Sequence, residues 1–206
     1  MNIHLSLFSE MRVRDEHKQT AIREQAMELI VKNGFEGFSM QKLAKAAGVS
    51  PATIYIYFRN KEDLVQQLFQ ETLQAFAHSA LKDFDPASSL EEGLWRQWKN
   101  RLGFILEHPV RFRFFEQFRH SSLVNHSHMV MNEFRDSMKR FLKNAVAKGE
   151  LRKMEPELFW SLAYGPFFSL VRFHLSGKSM MSGSFRLSDT RLKQALKAVV
   201  RGLKPD

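Results

Sequence analysis

Three histidines, His120, His126 and His128, are the residues whose type and spacing could first suggest a metal site. They fall in a stretch without helical periodicity, and no carboxylate accompanies them at ligand spacing on a shared helix. Polar loop residues account for them, and no metal site is assigned. The chain has no cysteine, which removes disulfides, thiolate zinc sites and cysteine nucleophiles. There is no nucleophile elbow, phosphate-binding glycine loop or evident acid/base pair, so neither catalytic residues nor a cofactor are expected. Two other patterns carry more chemistry. Arg111, Arg113 and Arg119 interleave with Phe112, Phe114, Phe115 and Phe118. Solvated arginines with their stems on apolar surface explain that mixture, and an anionic amphiphile, or an aromatic ligand with a polar end, would also suit it. The window from Ser39 to Lys61 holds Lys42, Lys45, Arg59 and Lys61 and no acid, with Glu36 before it and Glu62 and Asp63 after it. Such a window fits contact with a polyanion.

The total charge says less than its location. Among 206 residues, 31 Lys and Arg oppose 22 Asp and Glu, a formal charge of +9. Residues 1–62 carry 9 basic and 7 acidic groups, leaving 22 and 15 in residues 63–206. Most of the excess therefore lies outside the acid-free window, as general solubility and steering. Hydrophobic residues at 44% and charged residues at 26% match a globular chain able to bury a sizeable core. No apolar run approaches the roughly 18 residues of a membrane span, and Met1–Glu10 lacks a basic region and a small-residue cleavage site. No membrane partner and a cytoplasmic location are expected. Residues 1–11 read as a flexible tail, with Met11 as an alternative start.

The elements that must position these residues are helical throughout, so the fold class is all-α with about nine helices. A first helix is expected over Asp15–Asn33, with Ile22, Ala26, Leu29 and Ile30 on one face and Gly34 as its stop. Ser39 caps a short helix that ends at Gly48. Ser50-Pro51 opens another to Phe58, since proline costs least at the first helical position. Asn60 caps a fourth helix to about His78, its first turn carrying Glu62 and Asp63. Ser88 and Glu91 form a capping-box pattern for a helix toward Glu107. Further helices are expected from Pro109 to near His120, over His128–Lys148, from Pro156 toward Gly177 with an interruption at Gly165-Pro166, and after Ser188. The segment from Gly177 to Arg186 reads as loop.

A helix-turn-helix needs a small residue at the helix crossing, a glycine at the turn and an apolar residue facing back from the second helix. Ala44, Gly48 and Ile54 occupy those places, and Gly48 permits the positive φ of a tight turn. The second helix could then lie in a major groove. A helix pair that merely packs would share the same spacing.

The composite of Gly34-Phe35, Phe38-Ser39, Lys42-Leu43-Ala44, Ala47-Gly48-Val49-Ser50, Thr53-Ile54-Tyr55, Tyr57-Phe58 and Asn60-Lys61-Glu62-Asp63-Leu64 resembles the tetracycline-repressor (TetR) family of bacterial transcription regulators. The resemblance covers roughly residues 15–65. It implies a homodimer with a DNA-binding head over residues 12–62 and an effector-binding and dimerisation body over 63–206. It also implies that Ser39, Tyr57 and Lys61 hold phosphates, while Gln41, Ala52, Thr53 and Tyr55 approach base edges or nearby backbone of a double-stranded operator. Ile56 stands where many members carry an aromatic or basic residue, so an apolar contact with a thymine methyl is expected there.

Residues 95–141 are rich in aromatics and methionine, which is ordinarily core. The excess of adaptable methionine also suits a cavity for a small apolar or amphiphilic effector, and the resemblance implies one after residue 90. Trp98, Phe114, Phe118, Met131, Phe134, Met138 and Tyr164 are the candidates. The apolar stretch Leu158–Leu175, with Phe168, and the residues Leu192, Leu196, Val199 and Leu203 are expected to form half of an intersubunit four-helix bundle. The leading function is a ligand-responsive, dimeric repressor released from a near-palindromic operator. Activation is an alternative decided by operator position. Other classes are an enzyme acting on an apolar small molecule in the body, separable by turnover of bound ligand, and a helix-turn-helix that binds protein, separable by a DNA shift assay.

Overall fold

The computed structural model describes residues 3–124, 131–179, 181 and 183–205, with side chains from residue 18 onward. Among the described residues nine α-helices follow one another: α1 Ile3–Gly37, α2 Met40–Ala46, α3 Pro51–Tyr57, α4 Lys61–Leu81, α5 Leu90–Glu107, α6 Pro109–Phe118, α7 Asn132–Ala147, α8 Pro156–Ser176 and α9 Asp189–Leu203. The all-α expectation holds. Within the segment expected as loop, Lys178–Ser179 (β1) and Gly183–Ser184 (β2) pair as a two-residue antiparallel hairpin. Helix α1 opens at Ile3, so the stretch expected as a tail is helical from there. Gly34, at φ 72°, ψ 170°, breaks that helix where the sequence placed its stop, leaving one further turn to Gly37.

The chain forms two compact units, and they do not divide at residue 62. Unit one contains residues through Gln74 together with the segment from His108; unit two contains Ala75–Glu107 and the chain from α7 onward. The core of unit one is built from Ile22, Ala26, Ile30, Leu43, Ile54, Phe58, Leu68 and Phe69, with Phe114, Phe118 and Val124 from α6 and beyond it. Phe69 stacks on Phe115 at 5.3 Å between ring centroids, and Phe35 meets the Phe118 ring edge-on at 6.3 Å. Arg23 Nε pairs with Glu71 Oε1 at 3.0 Å, tying α1 to α4.

Unit two packs α5 against α7, α8 and α9. Helix α5 starts one residue later than the sequence pattern placed it. Its capping box is Ser89–Glu92, in which Glu92 N donates to Ser89 Oγ and Ser89 N donates to Glu92 Oε2, both at 3.3 Å. Ser88 Oγ instead donates to the Asp85 carbonyl at 2.7 Å. Another free amide of the first turn, Leu90 N, donates to Glu150 Oε2 at 2.6 Å, a carboxylate at the positive end of the helix. Hydrogen bonds from Ser89 hold the Glu92 carboxyl below its usual pKa.

The expected break at Gly165-Pro166 is absent: α8 continues through Pro166. Proline removes the donor for the Leu162 carbonyl. Leu162, Gly165 and Pro166 all lie on the exposed face of the helix, so the lost hydrogen bond is not one of the protomer's own core. Among the described residues no helix is long and apolar enough to cross a membrane.

Candidate functional site

Two places in the fold collect the residues singled out above, one in each unit. In unit one, α2 and α3 are helices of seven residues each, too short to persist alone. Caps and a buried face hold them. Ser39 Oγ accepts from Lys42 N at 3.2 Å, and Ser50 Oγ accepts from Thr53 N at 3.2 Å. Between the helices Gly48 adopts φ 66°, and Val49 N donates to the Ala44 carbonyl at 3.0 Å, closing the turn. Ala44 and Ile54 are buried at the crossing, as the spacing required.

What α3 leaves outside is unusual for so short a helix. Ile54 is fully buried, while Tyr55 is 54% and Ile56 75% exposed. Gln41 and Ala52 are exposed, and Ser39 is half-buried. The Ser39 oxygen is engaged as a cap, but its hydroxyl proton remains free to donate outward. Thr53 is different. It is half-buried, and its Oγ1 lies 2.9 Å from Ser50 Oγ, so its hydroxyl serves the cap of α3 as well as any outside partner. Tyr57 is half-buried beside Phe58, ring centroids 6.4 Å apart. Lys61 opens α4 with its Nζ 4.1 Å from the centroid of Phe35 and 4.0 Å from Glu36 Oε2. A reciprocal cap steadies that turn: Asp63 N donates to Asn60 Oδ1 at 2.8 Å, and Arg59 N donates to Asp63 Oδ2 at 2.9 Å. The result is a basic, aromatic surface that offers hydrogen-bond donors, carried on capped helix ends.

The effector candidates do not form one cluster. Phe114 and Phe118 are core residues of unit one, 4.9 Å apart between ring centroids. Trp98, Met138, Phe134 and Tyr164 belong to unit two, and Met131 lies half-buried just before α7. His126 and His128 lie outside the described residues. Trp98 Nε1 donates to the Ala163 carbonyl at 3.0 Å, which explains how an indole can be fully buried.

At the centre of unit two sits a group the sequence reading missed. Arg101 is 2% exposed and is the one charged residue buried among those described. Its Nη1 donates to Gln97 Oε1 at 2.6 Å and to the Gln97 carbonyl at 3.3 Å. Tyr164 OH donates to the same Oε1 at 2.7 Å, and Gln97 Nε2 approaches Met138 Sδ at 2.9 Å. The guanidinium carbon lies 4.5 Å from the Tyr164 ring centroid and 5.7–5.9 Å from those of Phe134, Phe76 and Trp160. No carboxylate pairs with Arg101 among the described residues. Such a charge costs several kcal/mol to bury, which cation–π contacts of about 0.5–2 kcal/mol each offset in part. Burial lowers the pKa of Arg101, while it pushes that of Tyr164 up to about 12 against the opposing pull of the guanidinium. The signal was present in the sequence: Gln97 and Arg101 are one turn apart on the face of α5 that carries Trp98 and Ile105.

A groove of about 510 Å³ opens elsewhere in unit two, lined by Ser89, Glu91, Glu92, Trp95, Lys193, Leu196 and Lys197. Its charges of both signs are solvated, and it contains none of the expected effector residues.

The dimerisation candidates divide as well. Leu192, Leu196 and Leu203 are closed inside the protomer's own core, so these three are internal rather than interfacial, while Phe168 is half-buried against Phe167 and Phe76. Val199 is half-buried. The α-helical period had marked the inward face of these helices. The outward face of α8 carries Leu158, Leu162 and Phe173, all exposed.

Comparison with known proteins matches both the N-terminal and the C-terminal part of the chain to one family. Residues 22–68 match the family described as bacterial regulatory proteins, tetR family, and residues 69–195 match the tetracyclin repressor-like C-terminal domain. An uncharacterised HTH-type transcriptional regulator of Haemophilus influenzae is 30% identical over 135 residues, 66% of this chain and 71% of that one. The fatty acid metabolism regulator protein of Bacillus subtilis is 38% identical over 77 residues, 37% of this chain and 40% of that one. A TetR family transcription regulator from Marinobacter aquaeolei VT8 superposes with a TM-score of 0.74 at 30% identity, over 95% of this chain and 100% of that one. The chain therefore belongs to the TetR family of bacterial transcriptional regulators, DNA-binding proteins with an N-terminal helix-turn-helix.

Proposed function

We propose that the protein is a homodimeric repressor that leaves a near-palindromic operator when a small amphiphilic effector binds unit two. The observation that carries this reading is α3: a capped helix with no acidic residue that buries Ile54 and presents Tyr55 and Ile56 to solvent. A helix that only packed would not leave two large apolar side chains outside. In a dimer two such helices would enter successive major grooves about 34–36 Å apart. Gln41, Ala52, Tyr55 and Ile56 would meet base edges and nearby backbone, with Ser39, Tyr57 and Lys61 on phosphates and Thr53 shared between the cap and the DNA.

The exposed apolar face of α8 supports the dimer. Gly165 and Ser169 lie on that face with Leu162, and such small residues let two helices approach closely. Helix α9, packed on α8, adds Val199 and the exposed Gly202. Trp98, Phe134, Met138 and Tyr164, with Met131 beside them in sequence, supply the effector surface. Helix α4 begins in unit one and ends in unit two, which makes it the route by which a bound ligand would bias the heads. The ligand acts by binding the released state more tightly than the operator-bound state.

Operator selection from random DNA, followed by a shift assay on the recovered sequence, tests the reading. A two-fold symmetric site bound by two chains is the expected result. Recovery of no preferred sequence would overturn it.

A further inference from the structure

We propose that unit two receives a monoanionic amphiphile, a carboxylate on an elongated or flat apolar body, whose acid group is bound by Arg101. The proposal rests on the effector reading above and names the chemistry of its ligand. The first argument is charge. Arg101 is buried in an aromatic box with no counter-ion among the described residues, so the unliganded unit holds one uncompensated positive charge. A neutral ligand would leave it uncompensated, and a cation would be repelled.

The second argument is geometry. Both hydrogen bonds of the guanidinium leave from Nη1, toward Gln97. Among the described residues Nε and Nη2 have no acceptor. That free edge is the one a carboxylate engages with two parallel bonds, which lysine could not do. Gln97 is itself fixed from both sides, by Tyr164 OH on Oε1 and Met138 Sδ near Nε2, so the guanidinium is held in one orientation before any ligand arrives.

The third argument is stoichiometry of charge. No other charged residue is buried among those described, so the site balances one negative charge and disfavours a phosphate dianion or a diphosphate. The walls are aromatic, and three of the rings, Phe76, Phe134 and Trp160, are only half-buried. An apolar body would lie against them while the acid group reached inward.

The test uses the purified full-length chain and two matched pairs of probes: dodecanoate with dodecanol, and 2-naphthoate with 2-naphthylmethanol. Thermal shift and tryptophan fluorescence give affinity, and native mass spectrometry gives stoichiometry. At least one acid is expected to bind once per chain, tenfold or more tightly than its alcohol. In Arg101→Met that preference is expected to vanish, with the alcohol binding at least as well as the acid. The proposal is overturned if neither acid binds, if an alcohol matches its acid in the wild type, or if the preference survives in Arg101→Met. Should the methionine variant fail to fold, Arg101→Lys keeps the charge without the fork. An acid affinity at least fivefold weaker is then expected, and an unchanged affinity overturns the proposal. Operator binding by the unliganded protein is measured in the same preparations. Intact operator binding without acid selectivity overturns the ligand assignment alone, whereas selective acid binding by a chain that binds no operator leaves the site standing and overturns the repressor reading.

Discussion

The Lys61 ammonium lies 4.1 Å from the centroid of the Phe35 ring, so the aromatic residue that follows the Gly34 break holds the basic residue that opens α4. A lysine free in solution samples many rotamers, and the ring removes part of that entropy before any phosphate arrives. Lys61→Ala should weaken binding to all DNA sequences about equally. It should also reduce the slope of log affinity against log salt by about 1. Phe35→Leu, which removes the ring beside the ammonium, should weaken operator binding in the same direction but less. Fluorescence anisotropy across a salt series checks both, and unchanged affinity in Lys61→Ala would count against this surface.

Ile56 is 75% exposed on α3, and its apolar side chain suits a thymine methyl. Replacing the facing thymine of the selected operator by uracil removes one methyl, about 0.8 kcal/mol or roughly fourfold in affinity. In Ile56→Ala the same replacement should cost almost nothing. A double cycle of protein and base substitution measures the coupling, and equal losses in both proteins would place Ile56 elsewhere.

The outward face of α8 predicts the oligomeric state. Leu162→Glu should place a charge in an apolar contact and yield a folded monomer, seen as halved mass in sedimentation with unchanged helical circular dichroism. Its operator affinity should fall because two half-sites are no longer engaged together. A dimer in that variant would move the interface to another surface.

Gly93 lies against the Phe141 ring where α5 meets α7. An added Cβ would come within 2.6 Å of Phe141 Cζ and 2.9 Å of Ser88 Oγ. Helix propensity alone would favour alanine by about 1 kcal/mol, but overpacking a closed core costs about 1–3 kcal/mol. Gly93→Ala should therefore lower stability. Gly103→Ala, on the same helix with nothing within 4 Å of the added carbon, should raise it by about 0.4–1 kcal/mol. Denaturant midpoints of the two variants should move in opposite directions.

Tyr164 offers a test by pH. Burial raises its pKa from 10.0 to about 12, so the phenol keeps its proton, and its hydrogen bond to Gln97, past the point where an unfolded tyrosine ionises. Its folded pKa lies above the unfolded one. The resulting stability is fully present below pH 10 and is lost as the pH rises toward 12. Absorbance at the phenolate band should show a late ionisation step that is missing in Tyr164→Phe.

The head was legible because each of its signals is local. Ala44, Gly48 and Ile54 impose a crossing, a positive φ and a buried contact within one short stretch, and the caps Ser39, Ser50 and Asn60 act on amides three residues away. The body was less legible for two reasons. Ser88–Glu91 and Ser89–Glu92 satisfy the same capping pattern, and the later register carries a contact that the local pattern does not encode, Leu90 N on Glu150. The destination of Phe114 and Phe118 depends on where the chain returns in space, which helical period does not encode. The same blindness assigned Leu192, Leu196 and Leu203 to a partner instead of to their own protomer. Arg101 was missed because arginine was weighed where it interleaved with phenylalanine in α6, not where it interrupted the apolar face of α5.

The return of α6 to unit one bears on how such regulators can be recombined. Phe114, Phe118 and Val124 complete a core begun by Ile22, Leu43 and Phe69, so the DNA-reading part of this protein is discontinuous in sequence. A chimera joined at residue 62 would graft only the first portion of that core onto a foreign body. It would inherit whatever aromatic residues the new α6 supplied beneath Phe35 and Phe69. Transplanting operator specificity into another regulator therefore requires two exchanged segments, the second extending from His108 to Val124.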